Sequence, residues 1–125
     1  MIKQSVFAVC AVLLFASSAH AGTWKTKTYK TSGGWSLVEQ DGDVYVELSA
    51  DFATKSVPDL KLFLSKNKSS DVSAKNASQG VFVAKVKSNK GKQRYKLPKG
   101  TSASDFKSIV LHCHKYSVLI AVGDL

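Results

Sequence analysis

The chain has 125 residues, 44% hydrophobic and 22% charged, with 18 Lys and Arg against 9 Asp and Glu for a formal charge of +9. That length predicts one domain with a modest core and no interdomain linker. Its two cysteines, Cys10 and Cys113, exclude a disulfide-rich scaffold, and the positive excess favours anionic partners.

At the start of the chain Lys3 precedes an apolar run from Val6 to Phe15, and Ala19-His20-Ala21 supplies a small-x-small cleavage site. This is the pattern of a secretory signal peptide. Removal of residues 1–21 predicts a mature domain over 22–125, with a charge of +8 once Lys3 is gone. The apolar run is too short to span a bilayer and no second one follows. The expectation is a periplasmic or secreted protein with no transmembrane segment after cleavage. Cys10 leaves with the leader, and it lies inside the apolar run rather than at its end, unlike a lipoprotein cysteine. Cys113 then forms no internal disulfide, and is buried, reactive or paired with another molecule. Nucleic acid is set aside as a partner because an exported chain carries no recognition motif here.

The remainder reads as strands. "TWKTKTY" at 23–29 alternates roughly; after Gly33-Gly34 come "WSLVEQ", Asp41-Gly42 and "VYVELS". Val44, Val46 and Leu48 fall on one face of the last run, Tyr45 and Glu47 on the other. Asp-Gly between two such runs predicts a hairpin, because its turn needs a positive φ that glycine adopts without strain. "LKLFLS" at 60–65, "VFVAKV" at 81–86, "QRYKLP" at 93–98, "SIVLHC" and "SVLIAV" continue the series. About eight short strands in roughly a hundred residues predict an all-β fold, an antiparallel β-sandwich of the jelly-roll or Greek-key kind. The stretch from 65 to 80, "SKNKSSDVSAKNASQG", predicts a long polar surface loop with a little helix around 71–77. "KGTSASDF" predicts a short helical turn capped by Thr101 or Ser102. Two Asn-x-Ser triplets, at Asn67 and Asn76, are discounted as glycosylation sites in a bacterial-looking, exported chain.

The candidate site is "HCH" at 112–114. Successive side chains of an extended strand point to opposite faces, so Cys113 does not join both histidines on one ion. Ile109 and Leu111 share its face, whereas Val110 shares that of His112 and His114. The two histidines stand about 6.6 Å apart along the strand, which lets both imidazoles reach a common copper or zinc ion. No further mature histidine or cysteine supplies a third ligand. An axial Met for blue copper and a Cys-x-x-Cys-His for covalent haem are absent. Cys113 keeps two readings: an inert small hydrophobe beside Ile109 and Leu111, or a thiol exposed at the strand end and activated by Lys115 or a protonated histidine. Asp41, Asp43 and Glu47 lack a calcium-loop spacing and read as a charged hairpin. Trp24, Trp35, Tyr29, Tyr45, Phe82 and Tyr95 read first as packing, with an aromatic binding platform as the alternative. Nucleophile elbows, phosphate loops and His-Glu-x-x-His are missing.

"DGDVYVELSADF", "PDLKLFLS", "GKQRYKLP" and "DFKSIVLHCHKYSVLIAVGDL" fall in the order of the DM-thirteen domain family, and the chain resembles it from about Gly33 to Leu125. Asp51-Phe52, Pro58-Asp59-Leu60, Gly91, Tyr95, Pro98 and Tyr116-Ser117 match its framework. The resemblance implies a small β-rich domain related to DOMON domains, acting in extracytoplasmic electron transfer through one cysteine of the last strand pair. Here that cysteine is Cys113. The family commonly places an aromatic residue directly before it, where this chain has His112. Resemblance and leader pattern together imply an exported redox module that uses Cys113 and exchanges electrons with a partner protein, with His112 and His114 tuning it or holding a metal. The alternatives are a non-enzymatic module binding an acidic ligand or envelope partner, with Cys113 structural, and a metal-binding protein built on the histidine pair.

Overall fold

The computed structural model describes residues 17–125. The expected signal peptide lies outside the described residues as far as residue 16, and its last five residues, 17–21, enter the first strand. Nine strands follow one another: β1 (Ser17–Thr23), β2 (Lys25–Thr26), β3 (Gly34–Gln40), β4 (Asp43–Leu48), β5 (Leu60–Ser65), β6 (Val81–Lys85), β7 (Gln93–Lys96), β8 (Ser108–Cys113) and β9 (Val118–Asp124). They form two antiparallel sheets, one ordered β1-β3-β4-β7 and the other β2-β9-β8-β5-β6. The expected sandwich is therefore present, with one strand more than the sequence suggested. The extra strand arises at Trp24, which is buried at the point where the chain leaves the first sheet and joins the second.

Local chemistry accounts for several elements. Asp41 (φ 53°) and Gly42 (φ 85°) both take the left-handed conformation in the turn joining β3 to β4, the geometry that matches the twist of a two-residue hairpin. Asp43 and Glu47 then pair with Lys96 at 3.3 Å and Arg94 at 3.2 Å on β7, so the acids of this hairpin are held by neighbouring cations. Tyr95 ties the sheets' corner: its hydroxyl accepts the Lys87 N–H at 2.8 Å and donates to Gln93 Oε1 at 2.5 Å.

The main core lies between the sheets. Leu60, Leu62 and Leu64 of β5, Ile109, Leu111 and Cys113 of β8 and Ile120 of β9 meet Trp35 and Leu37 of β3 and Val46 and Leu48 of β4. Trp24 and Trp35 pack edge to face, with ring centroids 6.4 Å apart. Trp35 also seats against Gly123, where a Cβ would fall 2.7 Å from its Cε2.

A second, smaller core covers the opposite face of the five-stranded sheet. Phe63, Val110, Leu119 and Val122 are roofed there by Val72 and Ala77 of the 66–80 loop. Polar in composition, that loop is nevertheless anchored by these two residues. Burying Val72 contributes about 1.5–3 kcal/mol, more than an exposed ion pair's ~0–1 kcal/mol. Its start and middle are tied as well: Ser108 Oγ donates to the Asn67 carbonyl at 2.8 Å, Ser117 Oγ to the Ala74 carbonyl at 3.3 Å, and Ser69 to Asp124. In place of a helix over 71–77 the loop holds a 3₁₀ turn at Ser69–Asp71 and hydrogen-bonded turns between Ser73 and Gln79. A 3₁₀ turn at Ala103–Asp105 follows Ser102, whose hydroxyl bonds Ser104 rather than capping the turn.

Gly123→Ala is expected to destabilise the domain by about 1–3 kcal/mol in urea unfolding, because the buried Trp35 ring must shift to admit the methyl group. Gly42→Ala, whose Cβ meets nothing within 4 Å, is expected to cost about 1 kcal/mol from left-handed strain alone. A smaller loss at Gly123 than at Gly42 would refute this account of the Trp35 contact.

Candidate functional site

β8 is the middle strand of the five-stranded sheet, and every one of its six residues is buried. It pairs with β5 through Leu60↔Cys113, Lys61↔His112, Leu62↔Leu111 and Phe63↔Val110. Against β9 the register slips between Leu111 and His112, which face Ala121 and Leu119, so Ile120 is a bulged residue. The bulge keeps Leu119 and Val122 together on the outer face while Ile120 points into the main core. The Ile120 carbonyl left by it accepts the Lys27 and Thr28 N–H groups, at 2.9 and 3.2 Å.

The alternation expected for "HCH" therefore holds. Cys113 lies in the main core with Leu60 and Leu111, only 1% exposed, and is a free thiol. The strand does not end early enough to uncover it. One residue later the chain enters the turn His114–Ser117, all four residues of which are exposed. That turn is held by the His114 N–H donating to the Asp59 carbonyl at 3.0 Å and the Ser117 N–H to the His114 carbonyl at 3.2 Å. Ser117 itself takes a positive φ of 53°, a conformation costing a non-glycine residue about 1–2 kcal/mol. Asp59 and Ser117, two of the residues that carry the family resemblance, thus act on the segment beside the thiol.

His112 lies on the outer face at 2% exposure, and its Nδ1 is buried without a hydrogen-bond partner. Its ring stands 6.3 Å from Phe63 and 6.2 Å from His114, centroid to centroid, and Phe63 is in turn 6.2 Å from His114. Burial, then the neighbouring His114, lower the His112 pKa, opposed by a backbone hydrogen bond at Val118 and by the Asp59 carboxylate. The imidazole is accordingly held neutral, the form that a metal would require. Among the described residues no group of three or more His, Cys, Asp or Glu side chains converges as a metal site. The histidine pair and the thiol are separated by the sheet.

The cross-strand neighbours of His112 were not recognised in the sequence. Lys61 is its register partner and sits 3.6 Å from Asp59 Oδ1, while Phe82 packs on Phe63 at 5.6 Å. "LKLFLS" does show Lys61 and Phe63 opposite Leu60, Leu62 and Leu64. Which strand that second face adjoins depends on a pairing some fifty residues away along the chain. Of the aromatic residues weighed as a platform, Trp24, Trp35 and Tyr95 are buried and only Phe82 is largely exposed. Tyr29 and Tyr45 carry Lys55 and Arg94 over their rings, at 4.5 and 4.1 Å.

The model of a family described as electron transfer DM13 matches residues 23–123. No curated protein and no solved structure matches the chain.

The lowered His112 pKa fixes the sign of a pH effect. The unfolded chain takes up a proton near the usual imidazole value of about 6.5, while the folded chain does so only at lower pH. His112 therefore leaves stability undiminished above about pH 6.5 and lowers it as the pH falls below that value, by at most the linkage of one proton. His112→Phe is expected to flatten this dependence and to raise stability at pH 5 relative to the parent. Urea unfolding at pH 5 and pH 8 measures both, and an unchanged pH slope in the variant would rule out His112 as its source.

Proposed function

The chain belongs to the DM13 electron-transfer family, and from that premise we propose that it is an exported electron-transfer module whose centre is Cys113. The observation that carries the reading is the position of the thiol. It is the free cysteine among the described residues, enclosed between the sheets and one residue from an exposed turn. The leader pattern of residues 1–21 supports delivery to the periplasm or the cell exterior. Among the described residues no helix is long and apolar enough to cross a membrane.

Without a second mature cysteine, exchange of electron pairs is intermolecular. The Cys113 thiolate attacks one sulfur of a partner's disulfide, that S–S bond breaks as the mixed disulfide forms, and the departing sulfur takes the electron pair and a proton. A dithiol of a second partner then resolves the mixed disulfide: one thiolate attacks the Cys113 sulfur and releases the first partner as a dithiol, and the other attacks its own sulfur in the new mixed disulfide, closing the second partner's disulfide and returning Cys113 as thiolate. At 1% exposure the thiol meets a partner sulfur only after local opening, and the adjoining 114–117 turn is the exposed segment nearest to it along the chain. Few contacts hold that turn, which places its opening at the low end of the free-energy range for local unfolding. A copper or zinc ion on His112 and His114 would be held by two imidazoles, with water or a partner filling its other positions. The chain acts in this reading as a redox accessory rather than as an enzyme with its own substrate site.

The same 1% exposure favours a second reading, in which Cys113 only fills the core and the lysine-rich surface binds an acidic ligand.

Thiol modification kinetics separate the two. In the electron-transfer reading, a disulfide reagent labels Cys113 in the folded chain through local opening, at a rate nearly independent of urea below the unfolding transition and faster than global unfolding. Labelling that tracks global unfolding at every urea concentration would establish the structural role. Metal analysis and a visible spectrum of the purified mature chain, repeated with His112→Ala, test the histidine pair.

A further inference from the structure

Two large apolar side chains are exposed among the described residues, Phe82 at 47% and Tyr116 at 62%. Phe82 stands on the outer sheet face in register with Phe63, and Tyr116 lies in the turn that carries the chain from β8 to β9 beyond the histidines. The Phe82 ring packs on Phe63, which adjoins His114, and Tyr116 follows in the same exposed turn. The 66–80 loop roofs Phe63, Val110, Leu119 and Val122 but leaves Phe82 and His114 open to solvent.

Lysines rim these rings. Lys61 and Lys85 are register partners across β5 and β6. Lys61 Nζ lies 5.6 Å from the Phe82 ring centroid, and Lys115 Nζ lies 5.5 Å from that of Tyr116. Asp59 engages Lys61, whereas Lys85 and Lys115 enter no ion pair among the described residues. A small aromatic centre that sheds water easily, within a rim of one charge sign that steers approach, suits brief contact with a partner of opposite charge.

We propose that this end of the outer face is the docking surface for an acidic protein partner of the electron-transfer domain. Phe82 and Tyr116 meet the partner's apolar contact, and Lys61, Lys85 and Lys115 meet its carboxylates. The proposal rests on the electron-transfer reading for the partner's role, and places that partner at the turn following Cys113, whose Lys115 is two residues along the chain from the thiol. The lysines and rings commit to a protein rather than to a lipid surface because two separate aromatic contacts, each beside its own lysine, favour a ligand with fixed side chains.

The test follows backbone amide shifts of the isotope-labelled mature chain titrated at low salt with a random glutamate–tyrosine copolymer. Shifts are expected to cluster in residues 59–63, 82–85 and 112–117, and to disappear as salt is raised. Lys85→Glu combined with Lys115→Glu is expected to weaken binding by about tenfold or more. Phe82→Ser is expected to reduce affinity for the copolymer to that for poly-L-glutamate. Lys99→Glu, beyond β7 on the other sheet, is expected to change nothing. Shifts spread over every lysine-bearing surface, or an equal loss in Lys99→Glu, would overturn the proposal. So would binding to phosphatidylglycerol vesicles at this surface with no binding of the copolymer. The readout does not involve the thiol. Clustered shifts with a Cys113 labelled only on global unfolding would overturn the redox centre and leave the docking surface standing, and scattered shifts with a locally accessible thiol would do the reverse.

Discussion

Everything about the candidate site depends on β8 being buried on both faces. A strand in an open sandwich normally gives one face to the core and one to water, and the apolar–polar alternation of β4 shows that arrangement. β8 instead carries Ile109, Leu111 and Cys113 on one side and Val110 and His112 on the other, with no exposed position. Its outer side is dry only because Val72 and Ala77 of the 66–80 segment lie across Phe63, Leu119 and Val122. The long polar loop is thus a structural cover, and the free energy of its two apolar anchors exceeds what its surface charges supply.

Double burial sets the chemistry available to each polar atom. A thiol in the inter-sheet core is a good packing group and a poor nucleophile until something moves. A buried imidazole packed beside Phe63 and His114, with one nitrogen unpaired, resists protonation because the charged form cannot be solvated. The pair of groups that look adjacent in "HCH" therefore experience different environments separated by the backbone of a single strand. The β8–β9 bulge immediately precedes them and the turn after β8 immediately follows. That same turn anchors to Asp59 and to the cover loop, so loosening it would affect both faces together.

Charge is distributed to complement this architecture. The acids of the first hairpin are matched by cations on β7, and Lys25 of β2 pairs with Asp124 of the adjacent β9, beside Ser69 of the cover loop. Hydrogen bonds from Lys25 and Ser69 hold the Asp124 carboxyl below its usual range, although at such exposure the pair contributes little to stability. Lys85 and Lys115, two of the many lysines that enter no ion pair among the described residues, stand near the histidines, where steering an approaching molecule is of more consequence than holding the fold together.

Much of the fold was legible in the sequence, for local reasons. Period-two alternation marked β3, β4, β5 and β8, the Asp41-Gly42 turn came from a backbone conformation that few residues accept, and the opposed faces of Cys113 and His112 result from strand geometry alone. What the sequence could not determine is whatever depends on partners distant along the chain. The split of the opening stretch into β1 and β2 reflects Trp24 entering a core assembled from other strands. The depth of Cys113 depends on Leu60 and the facing sheet, the burial of His112 on β5, whose Phe63 packs beside its ring, and that of Phe63 on a loop whose composition reads as solvent-exposed. Alternation tells which residues share a face. Only the tertiary pairing tells what lies over that face, because burial is a property of the layer above and not of the strand.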